Sequence, residues 1–225
     1  AVFNYLYSRK FLHFNFLLRP VFIKEYIIQG WHFSILTQLN YFSSKFDIVM
    51  LSFLTTPENV GIYAFAQRIL EKSTILRDSI QKSMYPNYVK KLKNNKLKYK
   101  LLIRHSMHLF IPGLLVVVFI ILVSKPIIIK LVGIEYIDSA HVLNVLAFFM
   151  LFSFIGVPFS TQLQVNYNEK ILVYIGLVRA ILNITLNLLL FSAFGLIGIA
   201  YSTLGTAFVG TVMIMLLSYI RRPLN

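Results

Sequence analysis

Six charged side chains lie along one hydrophobic-length stretch of the chain, Val60–Pro86. They are Arg68, Glu71, Lys72, Arg77, Asp78 and Lys82. A charged side chain near the centre of a bilayer costs about 2.5–3.5 kcal/mol on insertion scales, so a membrane helix with six of them must turn them toward water or toward partners. On a helical wheel the charged and amide side chains occupy one side and the apolar side chains the other. The pattern predicts a helix that lines a wet cavity.

Opposite charges in this stretch stand at helical spacing. Arg68 and Glu71 are three residues apart, and Asp78 and Lys82 are four apart, so each pair is expected to form an ion pair along the helix. The remaining cations leave the polar side net positive, and unpaired cations inside a bundle stabilise an anion such as a phosphate. An amphipathic helix lying in the membrane interface is the alternative. The cations left without a partner in this helix are Lys72 and Arg77.

A second row of polar residues occurs in a later apolar stretch. Arg179, Asn183 and Asn187 recur every four residues and share one helix face. Polar side chains so placed either join neighbouring helices by hydrogen bonds or face a pathway, and packing explains the two asparagines better than it explains Arg179. Small residues follow at the same spacing in the last stretch and predict close helix packing there. These small residues are Gly198, Ser202, Thr206 and Gly210.

The composition indicates an integral membrane protein. Of the 225 residues, 57% are hydrophobic and 13% are charged, whereas about 25% of a soluble domain is charged. The absence of cysteine excludes disulfides, thiol catalysis and cysteine metal sites. The sequence contains no phosphate-binding glycine loop and no zinc-protease motif, and no Ser/His/Asp set stands out, so we expect no enzyme.

Six stretches of about 20 residues are apolar enough to span a bilayer. They predict an all-α, six-helix bundle over residues 33–225, preceded by an amphipathic cytoplasmic or juxtamembrane lead-in at residues 1–32. Because 225 residues are few for a complete transporter, we expect a fragment of a longer protein. The expected spans are Phe33–Leu54, Val60–Met84, Met107–Val123, Val142–Gln162, Ile171–Phe191 and Ile197–Ile220.

Lysines and arginines outside these spans fall almost entirely on one side of the predicted bundle. Fourteen lie on the side that holds both termini and the basic loop Asn87–Lys100, and two, Lys125 and Lys130, lie on the other. Positive residues mark the cytoplasmic face, so both termini are predicted to be cytoplasmic. The net charge of +14 then lies at the membrane, where lipids are the expected partners, and nucleic-acid binding is not expected.

Five motifs stand in order along the chain. An aspartate precedes an apolar run, a V-G-x-Y-x-x-A-x-R pattern follows with a proline to close its helix, and LVGIEYIDSA and LNITLNLLLFSAFGLIGIAYST come later. Together they resemble the polysaccharide-biosynthesis flippases of the Wzx/RfbX type, in the MOP superfamily that includes lipid II flippases and MATE exporters. The resemblance covers nearly the whole chain, although Phe191-Ser192 stands where the family often has Ile-Pro. The residues of the first three motifs, the closing proline included, are Asp47, Val60, Gly61, Tyr63, Ala66, Arg68 and Pro86.

The resemblance implies that this chain is the C-terminal half of such a flippase, with a fold similar to the C-terminal lobe of a MATE/MOP-type transporter. The implied substrate is an oligosaccharide linked to undecaprenyl diphosphate, such as an O-antigen or capsule repeat unit, carried across the bacterial cytoplasmic membrane through a cationic cavity. An N-terminal six-helix lobe is the implied partner. The residues expected to face the lipid diphosphate are Arg68, Lys72, Arg77 and Arg179.

Two other functions remain open from the sequence. A cation-coupled multidrug exporter of the same superfamily would have the same helices, although its usual cationic substrates fit poorly with cationic cavity residues. A membrane scaffold within a polysaccharide assembly complex would bury the charged helix against a partner without transporting anything.

A cation site is a further expectation. Counted at about 1.5 Å per residue from the outer helix ends, Asp47, Asn183, Asn187 and Thr203 lie at one level of the bundle. Their hard oxygen atoms are ligands that a small cation prefers, and some lipid II flippases of the superfamily use comparable positions for sodium. Apart from sodium or proton coupling, no cofactor is expected. The alternative is that Asp47 only holds neighbouring helices together.

Overall fold

The described part of the chain is helical throughout, with short turns between the helices and no strand. The computed structural model describes Trp31, Ile35, Gln38 and the ranges 45–93, 98–166 and 169–220. Most of the predicted lead-in at residues 1–32 and ten of the 22 residues of the first predicted span therefore lie outside the described residues. The helices are α1 at residues 45–54, α2 at Pro57–Lys93, α3 at Tyr99–Leu131, α4 at Ile137–Val165, α5 at Glu169–Phe194 and α6 at Leu196–Ile220, with a 3-10 turn at Ile134–Tyr136 before α4.

The helices are longer than the predicted spans within them. Helix α3 contains the stretch Met107–Val123 and continues beyond both of its ends, so Lys125 and Lys130 lie in its last two turns instead of in a loop. The isoleucine-rich residues around these two lysines continue the apolar face, which is why the helix does not stop. Between α5 and α6 the connection narrows to one residue, Gly195.

The prediction that Pro86 closes its helix is wrong, because α2 continues through it to Lys93. A proline removes one backbone hydrogen bond from a helix interior. Here packing against α3 and α4 supports the turns that follow it. Tyr88 is fully buried in a cluster with Leu102, and its hydroxyl lies 2.7 Å from Nδ1 of His105 on α3. These tertiary contacts outweigh the local propensity of proline.

Four helices are long and apolar enough to cross a membrane, among the residues that the structure describes. They are α3, α4 with the turn before it, α5 and α6. Helix α2 is longer than any of them, but its charged residues exclude it on composition. The chain is therefore an all-α, multi-pass membrane protein, as its composition predicted.

Helix α4 is the centre of the bundle. It packs against α2, α3 and α6, whereas α5 packs mainly against α6. Its span is 56% buried, against 22% for α3, which presents large apolar side chains such as Met107 and Leu122 to the outside. The main core lies where α1, α2 and α3 meet α4, around Leu51, Tyr63 and Phe154. This packing leaves α2, α4, α5 and α6 around a common space.

A tight hairpin joins α5 to α6. Gly195 has φ +59°, a left-handed conformation that suits glycine, and its N–H donates to the carbonyl of Phe191. At Gly198 a β-carbon would lie 2.1 Å from the carbonyl oxygen of Leu190, so a side chain there is incompatible with the present geometry. The predicted small-residue row therefore begins with a contact between two helix backbones, the arrangement that small residues allow in membranes.

We expect Gly198→Ala to destabilise the protein by about 3 kcal/mol, the upper end of overpacking costs, because the obstacle is backbone and cannot move aside. Gly205→Ala on the same helix is the matched control, since its β-carbon would meet only Leu186 Cδ1 at 3.8 Å. Thermal unfolding of the purified protein in detergent measures both variants. Equal stability of the two would contradict the close approach at Gly198.

Candidate intramembrane site

A cavity of about 590 Å³ lies between α2, α4, α5 and α6, with Asp47 of α1 also in its wall. Its polar lining includes glutamine, serine and threonine side chains from α2, α4 and α6, and Asn183 from α5. Five lining residues carry ionisable groups of interest, three carboxylates and two guanidiniums. They are Asp47, Glu71, Asp78, Arg77 and Arg179. The wall is thus mixed in charge, and of the six charged residues predicted to share one face of α2 only Glu71, Arg77 and Asp78 line it.

The ion pairs differ from those that helical spacing predicted. Glu71 does not pair with Arg68 but with Lys45 of α1, whose Nζ lies 2.8 and 3.1 Å from its two carboxylate oxygens. Asp78 does not pair with Lys82 but with Arg77, whose Nε donates to Oδ1 at 2.8 Å. Spacing within one helix could reveal neither the position of Lys45 nor the folding back of Arg77 onto the next residue.

Arg77 is held from two sides. Besides its bonds to Asp78, its Nη1 donates to Oγ of Ser153 on α4 at 2.8 Å. The expectation that Arg77 has no partner in the helix is therefore wrong. Its guanidinium lines the cavity, but the adjacent carboxylate offsets much of its charge.

Arg179, unlike Arg77, is not held by hydrogen bonds or an ion pair to the described residues. Its side chain lines the cavity from α5, yet it forms no ion pair and no hydrogen bond with any residue that the structure describes. Its Nε is buried without a partner. Arg77 lies close enough to repel it electrostatically. A half-buried cation kept inside a membrane bundle without a counter-charge among the described residues is costly, so its presence there points to function.

The other two predicted substrate residues lie away from this cavity. Arg68 is exposed on α2 and does not line it. Lys72 is exposed and borders a separate groove of about 510 Å³ between α2 and α3, whose lining is otherwise apolar apart from serine side chains. The structure thus brings Arg77 and Arg179 together and places Arg68 and Lys72 elsewhere.

The four residues predicted for a cation site meet in one cluster. Asn187 Nδ2 donates to Asp47 Oδ1 at 2.7 Å and to Asn183 Oδ1 at 3.2 Å, and Thr203 Oγ1 donates to Asp47 Oδ2 at 2.9 Å. The Asp47 side chain is buried. The amide oxygen of Asn187 is also buried, and it has no hydrogen-bond partner in the part of the chain that the structure describes. The cluster contains oxygen atoms suited to a hard cation, and it contains one carboxylate.

Sequence reasoning missed Tyr63 in this cluster. Its hydroxyl donates to Asp47 Oδ2 at 3.1 Å, and the residue is fully buried. The available sequence signal is the V-G-x-Y motif, which places this tyrosine on α2, but a tyrosine in a motif does not by itself indicate a bond to an aspartate of another helix. Within the described ranges, no three His, Cys, Asp or Glu side chains group together as a metal site would require.

We expect Tyr63→Phe to lower the free energy of unfolding by about 1.5–3 kcal/mol, the range for a hydrogen bond to a charged group. Tyr136→Phe is the matched control, because the Tyr136 ring packs on Phe65 while its hydroxyl makes no hydrogen bond to the described residues. Thermal unfolding in detergent measures both. If the two variants lose stability equally, the Tyr63 hydroxyl does not hold Asp47.

The fold and the cavity define a helical, multi-pass membrane protein with a polar site inside the bundle. Comparison with known proteins indicates which class of membrane protein the chain resembles. A family model described as polysaccharide biosynthesis protein matches residues 1–91. The chain is also 26% identical over 178 residues to a protein named probable low-salt glycan biosynthesis flippase Agl15, from Haloferax volcanii.

The two matches confirm the resemblance to polysaccharide-biosynthesis flippases of the Wzx type in the MOP superfamily. The match to the Haloferax protein covers 77% of this chain and 37% of that protein, so the chain spans little more than a third of the relative's length. No solved structure matches the chain.

Proposed function

We propose that this chain forms part of a flippase that carries a lipid-linked glycan across a membrane. The family match and the similarity to a glycan biosynthesis flippase support a transporter in place of an enzyme. The observation that carries the proposal is the unpaired guanidinium of Arg179 inside a polar intramembrane cavity. A lipid diphosphate is an anion, and a water-filled or polar cavity is the route by which an anionic headgroup can avoid the hydrocarbon.

The proposed substrate is an oligosaccharide on undecaprenyl diphosphate. Arg179 would bind the diphosphate first, because its charge has no partner among the described residues, and Arg77 would contribute the donors that Asp78 and Ser153 leave free. Guanidinium groups match phosphate oxygens with two parallel hydrogen bonds. Arg68 and Lys72 remain predicted headgroup residues, and their exposed positions suit contacts made outside this cavity.

The proposed topology follows the sequence prediction. Six spans, with α2 and the first predicted span added to the four apolar helices, would form a lobe similar to that of MATE transporters and would work with an N-terminal six-helix lobe. Charged residues of α2 are tolerated in this arrangement, because Glu71 and Asp78 are paired and the cavity supplies polar surroundings. We propose a bacterial cytoplasmic membrane with both termini cytoplasmic, on the charge asymmetry; the Haloferax relative is archaeal.

One observation favours the multidrug exporter as a second candidate. Three carboxylates line the cavity against two guanidiniums, so the wall is less cationic than the sequence predicted. The pairing of Glu71 with Lys45 and of Asp78 with Arg77 offsets two of these carboxylates. Among the described lining residues, the charges without an ion pair are then Asp47 and Arg179, one of each sign, which supports an anionic substrate together with a coupling cation.

We expect Arg179→Ala to reduce glycan export by about tenfold or more, because charge-assisted hydrogen bonds contribute about 1.5–3 kcal/mol each. Arg179→Lys should recover part of the export, since lysine keeps the charge but lacks the bidentate fork. The measurement is glycan at the cell surface in cells that depend on this protein for export. Lys170→Ala, an exposed cation at the start of the same helix, is the control.

Three results would separate the alternatives. Full export by Arg179→Ala would show that Arg179 does not bind the substrate, and the main argument for the flippase proposal would be lost. An equal loss in Lys170→Ala would show a general sensitivity of α5 to lost charge. Efflux of a cationic dye that survives in Arg179→Ala but not in Asp47→Asn would favour the exporter.

We also propose that the Asp47 cluster binds a coupling cation, sodium in the first instance. Asn187 now donates to Asp47, while its own amide oxygen has no partner. A flip of this amide would replace the N–H donor by an oxygen ligand beside the carboxylate, together with Asn183 and Thr203. The cluster would then exchange an internal hydrogen bond for a bound ion.

Sodium should therefore raise the melting temperature of the wild-type protein at constant ionic strength, with potassium as the balancing ion. A tenfold excess over Kd corresponds to about 1.4 kcal/mol of added stability. Asp47→Asn should show no such rise, because the one carboxylate of the cluster is lost. Identical responses in the two proteins would exclude the cation site and leave the flippase proposal standing.

A further inference from the structure

Gly210 on α6 lies directly against the side chain of Arg179. A β-carbon at position 210 would be 2.4 Å from Cδ, 2.8 Å from Nε and 3.2 Å from Cγ of that arginine. The first two separations are shorter than any real contact of a β-carbon, so Arg179 could not keep its place beside a larger residue. We propose that Gly210 is a positioning residue, which holds the Arg179 guanidinium in the cavity; this inference rests on the proposed function in assigning that guanidinium to substrate.

The contact at Gly210 differs from the rest of the small-residue row. At Gly198 the obstacle is the backbone of Leu190, and at Ser202 the hydroxyl donates to the carbonyl of Asn183 at 3.2 Å. Those positions join two helices to each other. At Gly210 the three nearest atoms all belong to one flexible side chain. The space that a side chain would fill there is occupied by Arg179 and not by a helix backbone.

Packing against Gly210 orients a cation without neutralising it. Arg77 is oriented by Asp78, and the same carboxylate offsets its charge. The Arg179 stem and its Nε lie against the backbone of α6, and the guanidinium forms no ion pair with the described residues. A preorganised side chain that keeps its full charge binds an anion more strongly than a mobile or paired one. Gly210 therefore orients the Arg179 side chain as a carboxylate partner would, but it leaves the positive charge free to bind an anion.

A substitution at Gly210 should affect function more than folding. The clashing atoms are in the outer part of a flexible side chain, which can move into the cavity at little cost. Gly210→Ala should thus melt within a few degrees of the wild type. Its guanidinium would lie in a new and more mobile position, so glycan export should fall about as far as in Arg179→Ala.

A double-mutant cycle tests the coupling. We would measure export by Gly210→Ala, Arg179→Ala and the double variant, with Gly205→Ala on the same helix as the control. We expect the single Gly210 variant to lose about tenfold or more and the double variant to export no less than Arg179→Ala alone. If Gly210→Ala causes the same fold loss in both backgrounds, its role is helix packing and the proposal fails. Wild-type export by Gly210→Ala would also overturn it.

A second measurement follows Arg179 itself and does not depend on the substrate. Phenylglyoxal modifies arginine, and peptide mass spectrometry after brief exposure of the purified protein gives the rate at Arg179. Gly210→Ala should raise that rate severalfold, because the side chain is displaced from the α6 backbone, while Gly205→Ala should not. An unchanged rate overturns the proposal. A raised rate together with normal export by Arg179→Ala would support the positioning role and refute the proposed substrate contact.

Discussion

The carboxylate of Asp47 is the interaction on which the arrangement of the polar interior depends. Its two oxygens accept hydrogen bonds from Tyr63 of α2, Asn187 of α5 and Thr203 of α6, so one side chain of α1 connects four helices. Hydrocarbon offers no water to satisfy such groups, and each must find its partner inside the protein. The bonds therefore fix the relative rotation of these helices about their axes. Without them, apolar packing alone would allow several rotations of similar stability.

The cavity follows from this constraint and from the central position of α4. Helix α4 packs against α2 and α6, while α5 is held mainly by α6. The bonds to Asp47 turn the polar faces of α2, α5 and α6 inward, and α4 packs against both α2 and α6. The cavity between these helices is lined by charged side chains, which cannot be packed against apolar ones without a large cost. Two of its carboxylates are paired with cations, and Arg179 is not.

Periodicity and charge along the chain predicted the parts of this structure that lie within single helices. The helical class, the polar face of α2 and the polar row from Arg179 to Asn187 all follow from spacing. Depth counting also placed Asp47 and Thr203 at one level, because the helices rise regularly. Contacts between different helices could not be predicted in this way, because spacing along one helix says nothing about its neighbours. Spacing paired Glu71 with Arg68, but Lys45 reaches it from α1. Pro86 predicted a helix end that Tyr88 prevents by packing beyond it.

The single-residue connection at Gly195 makes α5 and α6 a stiff pair. Backbone contact at Gly198 and the bond from Ser202 to Asn183 lock the two helices along their length. Arg179, Asn187 and Thr203 all lie on this pair, so a movement of α1 and α2 relative to it would leave the mutual distances of these three residues unchanged. The distances that can vary are those to Asp47, Tyr63 and Arg77, which belong to α1 and α2. The two charges of opposite sign therefore lie on different parts, Arg179 on the α5–α6 pair and Asp47 on α1, and the hydrogen bonds from Asn187 and Thr203 to Asp47 are what join those parts.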